Sequence, residues 1–217
     1  GDFVDSFWYI VRYAHFALGE HDEALEMCRK VAERQRKDPR TGQMVDSENK
    51  WRAIYILGQI YHSLGDAAQA IQEYTRVEDR FADAAQAIKY FTRRAISLPE
   101  VTASEPGKPA AVPLDYRNVA ECDIKVYRID LLKFGLLQRD LSGITKINLA
   151  GIRPFFETTI KLGDGKDYMD KQRELSLPLD EEGAYLVVCR GADVHAGGLV
   201  LATPVQVEGN DSAPSAR

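Results

Sequence analysis

The chain has 217 residues, 45% of them hydrophobic and 28% charged, with a formal net charge of −5. That composition is globular rather than disordered, and no apolar run approaches the ~20 residues that span a bilayer. Acidic and basic residues are spread over both halves, so no basic region is set aside for nucleic acid.

The chain opens with Gly1-Asp2 and runs at once into a mixed segment, which does not read as a signal peptide. From Asp2 to about Ile96 the apolar spacing is helical. Gly19 and Ala24 recur as Gly65 and Ala70, 46 positions on. In the second copy, small Gly58 and Ala70 would let two antiparallel helices approach, with Tyr61 and Tyr74 filling the space beside them. Gly65 would make the turn and Asp66 would cap the next helix. In the first copy Trp8, Gly19, Ala24 and Val31 match, while Arg12 and Cys28 replace a small residue and an aromatic. Between the copies, Arg34 to Asn49 is polar, carries Pro39 and Gly42, and reads as an extended loop. Asp83 to Ile96, with Ala87, Ile88, Phe91, Ala95 and Ile96 apolar, reads as a further amphipathic helix closing the stack.

The order Ile54, Leu57, Gly58, Tyr61, Gly65, Ala70, Tyr74 and Val77 resembles a tetratricopeptide repeat (TPR), a helix–turn–helix unit of about 34 residues. The resemblance covers roughly residues 5–97 and implies a scaffold whose first helices line a concave face. By spacing that face holds Tyr9, Tyr13, Phe16, Arg52, Tyr55, Gln59 and His62, with Lys89 and Arg93 from the closing helix. Aromatics beside Arg and Lys suit an acidic segment or a C-terminal carboxylate. The alternative is a stack or linker that binds nothing.

From Leu98 on, the period changes from about 3.6 to 2. Leu98 to Thr102 reads as a first strand, extended as Pro99 requires. Val112 to Arg117 and Ile124 to Ile129 read as two half-buried strands about a tight polar turn at Asn118 to Glu121. Leu131 to about Gly151, with Leu131, Leu132, Leu136, Leu137 and Leu141, reads as an insertion with short helices. Strands are then expected at Arg153–Leu162 and Tyr168–Leu179 about a hairpin turn at Gly163 to Lys166. Two more are expected at Ala184–Arg190 and Leu199–Val207, joined by Ala192 to Gly198. About seven strands at such spacing suggest an antiparallel β-sandwich of immunoglobulin or fibronectin type, and Gly183-Ala184-Tyr185 has the form of a tyrosine corner. The expected fold class is therefore α+β in two domains. Residues 1–97 form an all-α TPR-like repeat and 98–208 a β-sandwich with a short helical insertion. The tail at 209–217 has a linker's composition.

Three blocks in this half, Tyr116-Arg117-Asn118-Val119, Val126 to Leu131, and Leu177-Pro178-Leu179 ahead of Gly183 to Val187, together resemble a macroglobulin-like (MG) domain. The nearest look is to bacterial alpha-2-macroglobulin proteins. That resemblance covers about residues 97–208. It implies a framework domain of a longer extracytoplasmic, protease-entrapping chain in the periplasm or at the cell surface. The family's thioester needs a Cys followed three positions later by Gln. Here Cys28, Cys122 and Cys189 are followed at that position by Val31, Lys125 and Ala192, so that chemistry has no place in this stretch.

Other chemistry is not in sight. His15, His21, His62 and His195 are scattered and make no metal-ligand spacing. No phosphate-binding glycine loop or nucleophile elbow occurs, and Gly163 to Asp167 lacks the ligand ladder of an EF-hand. No cofactor, metal or catalytic residue is expected. Cys122 and Cys189 can pair if strands bring them together, although two small buried side chains is the preferred reading. The functional expectation is a non-catalytic structural or interaction fragment of an alpha-2-macroglobulin-like protein, in contact with a protein or peptide partner, a protease among them. The alternative is a TPR adaptor whose sandwich is a spacer.

Overall fold

The structure is a computed structural model that describes residues 19–131 and 151–204. The class is α+β, and the chain divides into two compact units, Gly1–Arg93 and Arg94–Arg217. Tyr9, Tyr13, Phe16, the first-copy residues Trp8 and Arg12, the insertion after Leu131 and the tail lie outside the described residues.

In the first unit, helix α1 (His21–Glu33) buries Ala24, Leu25, Cys28, Val31 and Ala32, one stripe at helical spacing. Asp22 and Glu23 in its first turn and Lys30 in its last suit the helix dipole. Helix α2 (Lys50–Ser63) is central and buries Ala53, Ile54, Ile56, Leu57, Gly58, Ile60 and Tyr61 around most of its circumference, packed between α1 and helix α3 (Ala67–Thr75). The α2–α3 turn is made by Gly65 at φ 76°, a left-handed conformation that favours glycine. Asp66 then caps α3 by accepting the Gln69 N–H at 3.1 Å. Helix α4 (Ala82–Thr92) packs on α3 and buries Ala84 and Phe91.

Two expectations fail in this region. Arg34 to Asn49 contains an antiparallel pair, β1 (Gln35–Lys37) and β2 (Met44–Asp46), rather than an extended loop throughout. The pair lacks apolar alternation because polar contacts hold it, Gln35 with Asp46 and Arg36 with Glu48. At its tip Asp38 accepts the N–H groups of Arg40 and Thr41. The closing helix also stops short of Ile96. Ala95–Ser97 is strand β3, and Ile96 is buried in the core of the second unit. Ala95 and Ile96 fit a helical period, but backbone pairing and burial there prevail over local pattern.

The second unit contains two sheets. Strands β4 (Val101–Ser104), β6 (Glu121–Ile129), β7 (Phe156–Lys161), β9 (Gly183–Gly191) and β10 (Val194–Ala202) form one, in the order β4-β10-β9-β6-β7. Strands β5 (Ala110–Arg117) and β8 (Lys171–Leu177) form the other with β3, in the order β3-β5-β8. Pairing is antiparallel except between β4 and β10. One apolar core is built from both sheets, with Val112, Leu114, Leu175 and Leu177 from the smaller and Ile124, Val126, Tyr185, Val187 and Val200 from the larger.

The two strands flanking Asn118 do not pair with each other. β5 bonds to β3 and β8, β6 to β7 and β9, and the turn carries the chain from sheet to sheet. The alternation breaks there, because Tyr116, Arg117, Asn118 and Val119 are all buried. The turn at Gly163 to Lys166 likewise joins strands of different sheets and is no hairpin. Of the expected first strand at Leu98 to Thr102 only Val101 and Thr102 are strand, the start of β4; residues 98–100 link it to β3 in the other sheet. β10 begins at Val194, well before Leu199, so Ala192 and Asp193 alone make its turn with β9. Its glycines hid it: a Cβ on Gly198 would stand 2.6 Å from the Pro99 carbonyl oxygen, so the close pass of residues 98–99 requires glycine.

Candidate functional site

Arg52, Tyr55, Gln59 and His62 lie on α2 at three- and four-residue steps, which places them on one stripe. Arg52 is exposed and Gln59 half-buried. Tyr55 stacks on Phe81 with ring centroids 4.6 Å apart and leans on Tyr74 at 5.9 Å. Its hydroxyl hydrogen-bonds with Asp83 and Gln59. Burial first, and the Asp83 carboxylate second, hold its pKa above the ordinary phenol value. His62 meets Phe91 at 4.6 Å, edge to face, and Tyr74 at 6.5 Å.

Tyr55, Gln59, Asp83 and Phe81 are thus brought together, and His62 joins Phe91. Half-buried Tyr55 packs α2 against α3 and the turn before α4, while His62 is exposed and leans on Phe91 of α4. Lys89 and Arg93 stand four residues apart in α4 and just after it, both exposed, with the Arg93 guanidinium 4.5 Å from the Tyr90 ring. Spacing alone did not find Asp83, which sets a carboxylate against the Tyr55 hydroxyl. Nor did it find Trp51, whose half-buried ring carries the Arg80 guanidinium at 4.3 Å and the Lys50 ammonium at 5.2 Å. Lys50-Trp51 at a helix start is a local signal, whereas Arg80 arrives only through folding.

In the second unit the polar side chains hold backbone. Arg117, whose side chain is 3% exposed, donates to the Tyr168 carbonyl and pairs with Asp170 at 3.2 Å. Asn118, at φ 52°, accepts the Tyr168 N–H at 2.8 Å. The Leu162 N–H donates to the Ala120 carbonyl at 2.7 Å. The two sheet crossings, 118–120 and 162–170, therefore clasp each other. Tyr185 is fully buried and its hydroxyl donates to the Glu181 carbonyl at 2.9 Å, the tyrosine-corner contact. Arg128 ion-pairs with Glu181 beside it and lines a cleft of about 580 Å³ with Ile129, Gly183, Ala184 and Leu201. Among the described residues no His, Cys, Asp and Glu side chains cluster in a way that could hold a metal, and no helix is long and apolar enough to cross a membrane.

Residues 52–83 match the tetratricopeptide repeat family. No curated protein matches the chain. Among solved structures it is similar to native alpha-2-macroglobulin from Escherichia coli spanning domains MG0-NIE-MG1, with 17% identity over 51% of this chain and 39% of that one and a TM-score of 0.37. A second fragment of that protein, spanning NIE-MG1, matches at 15% identity over 50% of this chain and 61% of that one, TM-score 0.34. The sulfur carrier protein SoxY from Chlorobium limicola f thiosulfatophilum matches at 14% identity over 56% of this chain and 96% of that one, TM-score 0.19. The chain thus spans less than two thirds of either macroglobulin fragment.

Proposed function

We propose that this chain is a non-catalytic interaction fragment of an alpha-2-macroglobulin-like protein, in which a TPR-type helical domain precedes a macroglobulin-like β-sandwich. The observation that carries this reading is the use of the polar side chains in the second unit. Arg117, Asn118 and Tyr185, all within the blocks that resemble a macroglobulin-like domain, bond to backbone carbonyls and N–H groups of the unit itself. Groups used this way stiffen a framework; they do not face a substrate. The chain then acts outside the cytoplasm, in the periplasm or at the cell surface, and its larger parent meets proteases. The test is to express the chain within its parent protein, with and without residues 98–208, and to measure protease capture. Capture retained without the sandwich overturns the framework role.

A second reading has its own support. Arg52, Lys89 and Arg93 are exposed, Tyr55 and Gln59 are half-buried, and the match at 52–83 takes in the α2 members of this set. An adaptor face for an acidic or C-terminal peptide would use these residues with His62, Tyr9 and Tyr13. Peptide capture by the wild type and by an Arg52→Ala, Arg93→Ala double variant separates the readings. Equal capture by both removes the adaptor, and a salt-sensitive loss in the variant supports it, because exposed charges are screened within about 8 Å at physiological ionic strength.

A further inference from the structure

Three cysteines are present, and two of them meet. Cys122 on β6 and Cys189 on β9 are both 0% exposed, and both side chains enter the same two-sheet core. The β6–β9 register sets Ile124 opposite Cys189 and Asp123 opposite Arg190, so Cys122 lies diagonally across from Cys189 on adjacent antiparallel strands. Each thiol perturbs the ionisation of the other, Cys122 being held down and Cys189 pushed up. Cys28 lies in α1, in the other unit, and is buried there.

We propose that Cys122 and Cys189 form a reversible disulfide that staples β6 to β9 when the protein folds in an oxidising compartment. The pairing follows from register and from the shared core face. Diagonal partners are the longer option for a cross-strand bridge, so the strands must draw together. A bond closed that way is more easily reduced than a relaxed structural disulfide.

The exchange takes two steps. With a small-molecule disulfide as oxidant, the thiolate of one cysteine attacks one of its sulfurs, forming a mixed disulfide and releasing one thiolate. The other cysteine then loses its proton and attacks the first cysteine's sulfur, closing the protein disulfide and releasing the second thiolate. Two protein thiols are oxidised and one small disulfide is reduced to two thiols. Both sulfurs are sealed in the folded core, so exchange takes place while β6 and β9 are still assembling.

The test is to refold the full chain from denaturant, once in a reduced-plus-oxidised glutathione buffer and once in excess reductant. Thiols are then blocked with iodoacetamide under denaturing conditions and the protein is mapped by mass spectrometry without reduction. The expected result is a linked Cys122–Cys189 peptide with Cys28 alkylated in the glutathione sample, and three alkylated cysteines in the reduced sample. The oxidised protein should melt at least about 5 °C higher, since the bridge closes a long loop in the unfolded chain. The Cys28→Ser variant should keep the link. Three alkylated cysteines in both samples, or a link that includes Cys28, overturns the proposal.

Discussion

Gly58 on α2 faces the ring of Tyr74 on α3 so closely that a Cβ at position 58 would stand 2.6 Å from two ring carbons. Real Cβ atoms do not approach an aromatic ring that far, and the ring is buried with Tyr55 and His62 against it. Gly58→Ala gains about 1 kcal/mol of helix propensity and loses about 1–3 kcal/mol to overpacking, so it should destabilise the helical unit. Gly58→Leu should do so by about 2 kcal/mol or more. Urea unfolding followed by far-ultraviolet circular dichroism checks both. An unchanged midpoint for the Leu variant would show that α2 and α3 do not meet at this residue.

The tyrosine corner invites a graded pair of substitutions. Tyr185→Phe keeps the ring and deletes only the bond to the Glu181 carbonyl. It should lower stability by about 1 kcal/mol. Tyr185→Ala also empties the centre of the core and should cost about 3–5 kcal/mol. If both variants lose the same amount, the hydroxyl rather than the ring is the dominant contribution, contrary to the packing.

These contacts show what was readable before folding. The α2–α3 repeat was legible because Gly58, Gly65, Ala70 and Tyr74 each have a reason to stand at that spacing. The strands of the second unit were legible by period, since Val112, Leu114 and Tyr116 alternate with residues that face outward. Alternation tells which face of a strand is buried but not which sheet owns it. β5 and β6 therefore looked like neighbours although Asn118 sends them to different sheets. β3 was hidden in a helical period because Ile96 satisfies either pattern and only its pairing with Tyr116 decides. Spacing put Tyr55 and His62 on one stripe of α2. It could not show Phe81, Phe91 and Asp83 arriving from later in the chain to touch them.

The clasp between the sheet crossings should respond unequally to its two charged members. Arg117 is buried, whereas the Asp170 side chain is 68% exposed. Arg117→Ala leaves the Tyr168 carbonyl without its donor and a space in the core, and should cost about 3 kcal/mol or more. Asp170→Asn leaves the bond to Tyr168 in place and should cost under about 1 kcal/mol, as exposed pairs do. Thermal unfolding of the two variants gives the ratio. Equal losses would mean that the ion pair, and not the Arg117–Tyr168 bond, holds the crossings together.

Tyr74 makes the stability of the helical unit depend on pH at the alkaline end. It is 3% exposed, and its pKa is pushed up to about 12, first by burial and then by Tyr55 and Asp83 nearby. The ordinary phenol value is about 10. Below about pH 10 the phenol is neutral in the folded and unfolded chain alike, and its full contribution to stability is present. Between about 10 and 12 the unfolded chain gives up this proton while the folded one keeps it, so stability falls as pH rises. The total loss is about 2–3 kcal/mol once the folded value is passed. Tyr74→Phe retains the ring that packs against Gly58 and removes the proton. Urea unfolding of wild type and variant, read by helical circular dichroism from pH 9 to about 11.5, should diverge in slope by up to about 1.4 kcal/mol per pH unit. Exposed lysines and the other tyrosines change both proteins alike, so the difference isolates position 74. Parallel curves would show that the phenol ionises as easily in the folded chain as in the unfolded one, and that Tyr74 is open to water.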